Sequence, residues 1–125
     1  MDKQASVERR ITAEEVAAYA RLTGDFNPIH LDDAFAAGTP FGKRILHGTL
    51  TLTLLWRAFA ALTPDRDLTG SQVSLRFTAP VGVGERAAAA AGPADEPGCL
   101  EGQVTNEAGK VAIRATLHLP NGKAA

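Results

Sequence analysis

The sequence predicts an α+β fold in which one apolar helix lies in the concave face of a curved antiparallel sheet. Three observations predict it. Between His47 and Leu62 the only formal charge is Arg57, and the leucines, Trp56 and Phe59 point in nearly every direction around a helix. A helix that is apolar all round is buried all round. From Ser71 onward the pattern changes to the period-two alternation of half-buried strands. Finally, the chain has 125 residues, enough for one domain whose core needs no disulfide or metal staple. A helix covered on every side needs a sheet that curves around it.

The elements follow in order. The N-terminal MDKQASVERRI is charged and has no apolar run of the kind a signal peptide needs, and no regular element is assigned to it. Thr12 then starts a helix. Glu15 stands where a capping-box partner stands, and Ile11 and Val16 occupy the two positions of a hydrophobic staple. This helix is expected to run to about Leu22, with Val16, Tyr19 and Ala20 facing inward. Gly24 and Asn27-Pro28 forbid its continuation, which puts Asp25, Asn27 and His30 on a non-helical loop. A short helix is expected from Asp32 or Asp33 to Gly38, and irregular backbone from Thr39 to Leu46.

The long apolar stretch has a competing reading as a strand, because Thr49 to Leu54 alternates threonine and leucine. Its length decides for a helix, since ordinary strands hold only about 3–10 residues. In the next segment, Ser71 to Ala79, Val73, Leu75 and Phe77 alternate with Ser74, Arg76 and Thr78. Pro80 to Gly84 is a turn. Glu85 to Ala91 contains five consecutive alanines, which favour helix by propensity. The bracketing Gly84 and Gly92-Pro93 make it a strand instead. Leu100 to Asn106 and Lys110 to Leu119 form a hairpin around Asn106 to Gly109, with Val111, Ile113, Ala115, Leu117 and Leu119 on one face. The terminal NGKAA reads as a frayed polar tail. No repeat or linker divides the chain, so a single domain over residues 1–125 is expected.

Composition narrows the function. The chain is 45% hydrophobic and 22% charged with a formal net charge of -1, so no general basic field would draw in nucleic acid or an anionic membrane. No apolar run reaches the ~18 residues of a membrane span. Cys99 is the single cysteine, so no intrachain disulfide forms, and a reducing cytoplasm is the expected compartment. Nothing near Cys99 in sequence would lower its pKa, which makes it an inert strand thiol.

The chemistry concentrates in GDFNPIH, Gly24 to His30. Pro28 stiffens the connection between Asp25 and His30. A carboxylate and an imidazole converging on a water could deprotonate it and deliver a proton elsewhere, with the Asn27 amide holding one of them. The plain alternative is a turn in which Asp25 and Asn27 cap local N–H groups. Gly48 opens the apolar helix, where free N–H groups and the helix dipole favour developing negative charge. It is either an oxyanion-hole donor or only a packing residue. His47 is read as a local hydrogen-bonding residue rather than a catalytic one.

The stretch YARLTGDFNPIHLDDAFA, Tyr19 to Ala36, resembles the signature of the MaoC-like dehydratases, which include the (R)-specific enoyl-CoA hydratases. RILHGTLT, Arg44 to Thr51, is similar to the second block of that family, and VSLRFTAPVGVGE to its third. The resemblance implies the hot-dog fold, a curved antiparallel sheet wrapped around a long central helix. It implies a homodimer that binds an acyl-CoA or acyl carrier protein thioester near the subunit interface. Asp25 and His30 would be the catalytic pair, Asn27 their support, and the Gly48 N–H the group that polarises the thioester oxygen. The reaction implied is reversible syn hydration of a trans-2-enoyl thioester to a (3R)-3-hydroxyacyl thioester, with no metal or redox cofactor. Lys43 and Arg44 are candidates for the CoA phosphates, or else a solvated surface pair. His-Gly-Thr stands where many relatives have His-Gly-Met, which leaves the acyl preference open. The alternatives are a hot-dog thioesterase and one subunit of a heteromeric 3-hydroxyacyl-acyl carrier protein dehydratase.

Overall fold

Thr12 starts the first helix in the way its side chain dictates. Its hydroxyl accepts the Glu15 N–H at 3.2 Å, and the Glu15 carboxylate accepts the Thr12 N–H at 3.1 Å. Ile11 and Val16, the staple pair, are both buried. The helix α1, Ala13–Thr23, ends where Gly24 takes the left-handed conformation at φ 78°. A side chain there would meet the left-handed penalty that glycine avoids. Thr12→Ala is expected to lower stability by about 1 kcal/mol, read in a denaturant titration at neutral pH.

Arg9 donates to the Glu15 carboxylate at 2.7 Å. That bond, followed by the one from the Thr12 backbone, holds the Glu15 carboxyl below its ordinary value. A depressed carboxyl stabilises the fold above its unfolded-state pKa, and that contribution is lost as pH falls through the folded-state value. The stability gap between the protein and its Glu15→Gln variant should therefore be widest near neutrality and close on acidification.

The structure is a computed structural model and describes residues 3–120. The expected frayed tail at 121–125 lies outside the described residues. After α1 come α2, Pro28–Leu31, α3, Asp33–Ala37, and α4, Gly48–Leu62. The strands are β1, Ala5–Arg10, β2, Gln72–Phe77, β3, Arg86–Pro93, β4, Cys99–Thr105, and β5, Val111–His118. They form one antiparallel sheet in the order β1-β3-β4-β5-β2. α4 packs across β1, β3 and β4.

The alanine run is explained by that packing. Ala87, Ala89 and Ala91 are buried in the same cluster as Leu54, Leu55, Ala58 and Phe59 of α4. Small side chains let the helix sit close to the strand. Gly102 on β4 carries this furthest: a Cβ there would lie 2.6 Å from Leu55 Cδ1 and 2.8 Å from the Ala90 carbonyl oxygen.

Four sequence expectations need correction. The charged N-terminal stretch contains β1, which pairs with β3 from Ala5 opposite Ala91 to Arg10 opposite Arg86. Its charges are tolerated because it is an edge strand with a largely exposed pattern. His30 is not on a loop. Pro28 begins a one-turn helix, a position where its missing N–H costs nothing. Nor is α4 buried all round: Thr49, Thr53, Arg57, Ala60 and Ala61 are exposed, while Leu52 and Trp56 are only half-buried. Phe77, expected to share the fate of Val73 and Leu75, is 56% exposed.

Candidate active site

Two chain segments meet at the N-terminus of α4. The first is the link from α1 through α2, and the second is the return from α3 to His47. The return is tied down on both sides. The Ile45 N–H donates to the Ile29 carbonyl at 3.2 Å, and the Leu46 N–H donates to the Val81 carbonyl at 2.8 Å. Asp25, His30 and His47 thereby converge, with one ligand-type atom from each within 4.8 Å of the others.

The turn reading of the loop is seen in its hydrogen bonds, and it leaves room for the proton-handling one. Asp25 Oδ1 accepts the Asn27 N–H at 3.2 Å, and Asn27 Oδ1 accepts the Ile29 N–H at 3.1 Å. Asn27 is thus the N-cap of α2. It acts on His30 by setting the helix that carries it. The Asp25 side chain stays exposed, with a carboxylate oxygen to spare.

His30 is 8% exposed. A carbonyl can only accept, so the 2.8 Å contact between His30 Nδ1 and the Ile45 carbonyl makes Nδ1 the donor. Nε2 is left as the nitrogen that can take or give a proton. The same logic fixes His47, whose Nε2 donates to the Asp25 backbone carbonyl at 3.0 Å. His47 Nδ1 is buried and has no protein partner. The two rings stack at 3.9 Å between centroids, and Tyr19 meets His47 edge-on at 5.0 Å. Tyr19 in turn shares a 2.6 Å hydrogen bond with the Thr49 hydroxyl.

His47 is therefore more than a local hydrogen-bonding residue. It holds the backbone of Asp25 from 22 residues away and supports the ring of His30. Its position directly before Gly48 was the available signal, but sequence spacing does not show which ring it stacks on. The cluster of Asp25, His30 and His47 has the residue types and spacing to ligate a divalent cation as well as to hold a water.

Gly48 is the first residue of α4, and His47 makes no side-chain cap. The first N–H groups of a helix have no intrahelical partner, and those of α4, with the positive end of the helix dipole, follow directly after His47. Both readings of Gly48 survive. A Cβ at 48 would lie 2.8 Å from Phe77 Cε1, so glycine also makes room for that ring. Lys43 and Arg44 do not stand free for phosphates. Lys43 pairs with Glu85, and Arg44 Nε lies 2.7 Å from Asp33 Oδ1. A phosphate would have to compete with both carboxylates.

The profile of the MaoC like domain family matches residues 1–112. The chain belongs to the MaoC-like domain family. A 3-hydroxybutyryl-CoA dehydratase from Methylorubrum extorquens is 39% identical over 79 residues, 63% of this chain and 50% of that protein. An (R)-specific enoyl-CoA hydratase from Aeromonas caviae is 41% identical over 87 residues, 70% of this chain and 65% of that protein. This MaoC-like chain thus spans between half and about two thirds of these curated relatives. The solved structure of an (R)-hydratase from A. caviae superposes with a TM-score of 0.78 at 35% identity, covering 94% of this chain and 95% of that one. The MaoC-like chain has the hot-dog fold of these neighbours, with the five-stranded antiparallel sheet packed on α4.

Proposed function

We propose that this MaoC-like chain is a hydro-lyase that adds water to trans-2-enoyl thioesters and reverses that reaction. The observation that carries the proposal is the convergence of the Asp25 carboxylate and the His30 ring beside the open N-terminus of α4. A water held between Asp25 and His30 Nε2 loses a proton to this pair as its oxygen bonds to C3. The C2=C3 electron pair moves toward the thioester carbonyl, whose oxygen becomes an enolate. The Gly48 N–H and the α4 dipole stabilise that oxygen. The carbonyl re-forms as C2 takes a proton from the same pair on the same face. Syn addition follows, and the similarity to (R)-specific hydratases supports the (3R)-3-hydroxyacyl thioester as product. The thioester itself activates C2 and C3, so the steps call for no metal or redox cofactor.

The substrate is an acyl-CoA or acyl carrier protein thioester, and the working domain covers residues 1–125 in a cytoplasmic protein. Among the described residues no helix is long and apolar enough to cross a membrane. Leu22, Phe26, Phe35, Phe41 and Phe77 are large, apolar and exposed, and Phe26 and Phe77 lie beside Asp25 and Gly48. The chain works as a homodimer, with the acyl chain lying against Phe26 and Phe77.

The test is hydration of crotonyl-CoA, followed by loss of enoyl absorbance, with the product configuration then determined. Turnover to the (R)-alcohol is the expected result. Hydrolysis of the thioester instead would favour the thioesterase reading. Activity only after addition of a second chain would favour the heteromeric one.

A further inference from the structure

A second cluster of ligand-type side chains lies away from the active site. Glu96 and Cys99 flank the turn that enters β4, and His118 ends β5. The β2–β5 ladder pairs Gln72 with His118 and Phe77, the neighbour of Gly48, with Ile113. His118 is thus five residues along β5 from the active-site end, about 17 Å at strand rise. Cys99 Sγ lies 3.2 Å from Glu96 Oε2 and 3.3 Å from His118 Nδ1, and all three donor atoms lie within 4.8 Å of one another.

We propose that Glu96, Cys99 and His118 form a binding site for a zinc-class divalent cation, with the fourth position open to water. The spacing is that of a coordination polyhedron. Tetrahedral bonds of about 2.3 Å to sulfur and about 2.0–2.1 Å to nitrogen or oxygen put S···N and S···O edges at roughly 3.5 Å. The two edges found are shorter by only a few tenths of an ångström, so a metal enters by a small outward shift of the ligands.

The scaffold beneath the ligands is held by main-chain bonds. The Cys99 N–H donates to the Glu96 carbonyl at 3.2 Å, the Ala94 N–H to the Cys99 carbonyl at 3.0 Å, and the Leu119 N–H to the Gly98 carbonyl at 2.9 Å. Cys99 and His118 are direct cross-strand partners. Glu96 is exposed and His118 half-buried, so the cluster opens to solvent on one side.

Charge balance fits the same reading. On binding, a dication displaces the thiol proton to solvent, and one thiolate and one carboxylate neutralise its two charges. One sulfur, one imidazole and one carboxylate suit zinc rather than the all-oxygen shells of magnesium or calcium. Cys99, expected from sequence to be inert, acquires this role because the fold brings His118 beside it.

Cobalt(II) titrated into the full chain tests the proposal. A thiolate-to-cobalt charge-transfer band that saturates at one equivalent is expected. The cluster of Asp25, His30 and His47 contains no sulfur and cannot produce that band. Cys99→Ser should abolish the band while leaving enoyl thioester hydration unchanged. Glu96→Gln, at an exposed position that cannot unfold the chain, and His118→Ala should each weaken zinc binding, by more than the roughly 10–100-fold that an outer-sphere partner is worth. No band at excess cobalt, or zinc affinity that is the same in all three variants, would overturn the site and leave the contacts as simple hydrogen bonds.

Discussion

Asp25→Asn is expected to lower kcat/KM for enoyl-CoA hydration by about 10²–10⁴-fold, the range general acid–base catalysis supplies. The amide can neither take the water proton nor return one to C2. The substitution is close to isosteric and keeps an oxygen to accept the Asn27 N–H that Asp25 Oδ1 now accepts at 3.2 Å. The turn and the α2 N-cap should therefore survive, and circular dichroism and sedimentation should match the parent. His30→Ala should fall in the same range, because it removes Nε2 while Nδ1 serves only the Ile45 carbonyl. Groups that act as a unit are not additive, so the double variant should be about as slow as the worse single one. A kcat/KM for Asp25→Asn within tenfold of the parent would remove the acid–base pair from the mechanism.

Phe59→Ala is expected to cost about 3–5 kcal/mol, a large share of the roughly 5–15 kcal/mol that holds a domain folded. Phe59 is fully buried, in one cluster with Leu55, Ala87, Val104 and Ile113. β3 and β4 already approach α4 through alanines and Gly102, so little side chain is available to collapse into the void. Trp56, which the apolar pattern of α4 places in the core, is half-buried and meets Phe59 edge-on at 6.1 Å. Trp56→Ala should therefore cost clearly less than Phe59→Ala in denaturant titrations with matched m-values. The reverse order would mean that Trp56 is covered by a second subunit.

Local signals were legible wherever a short stretch determines its own structure. The capping box at Thr12 and Glu15, the stop at Gly24 and the hairpin around Asn106 to Gly109 depend on neighbours within a few residues. The strand at Ala87 to Ala91 was legible from its glycine and proline brackets, although its alanines favour helix. β1 was not. An edge strand needs only its backbone and part of one face, and the alternation of Ala5 and Val7 with Ser6 and Glu8 is only four residues long before Arg9 and Arg10, too short to separate it from a charged tail.

The sequence by itself determined the fold class, the order of α1, α3, α4 and the strands β2 to β5, and the candidate residues for proton transfer. Each is written in periodicity, in capping residues, or in GDFNPIH and HGT. Tertiary structure alone decided which atoms of those residues are free. The Ile45 carbonyl, 15 residues from His30 in sequence, leaves Nε2 as its free nitrogen. The Asp25 carbonyl ties down His47, and Glu85 and Asp33 engage Lys43 and Arg44. These are contacts between distant segments, and one-dimensional spacing does not encode which donor meets which acceptor once the sheet closes on the helix.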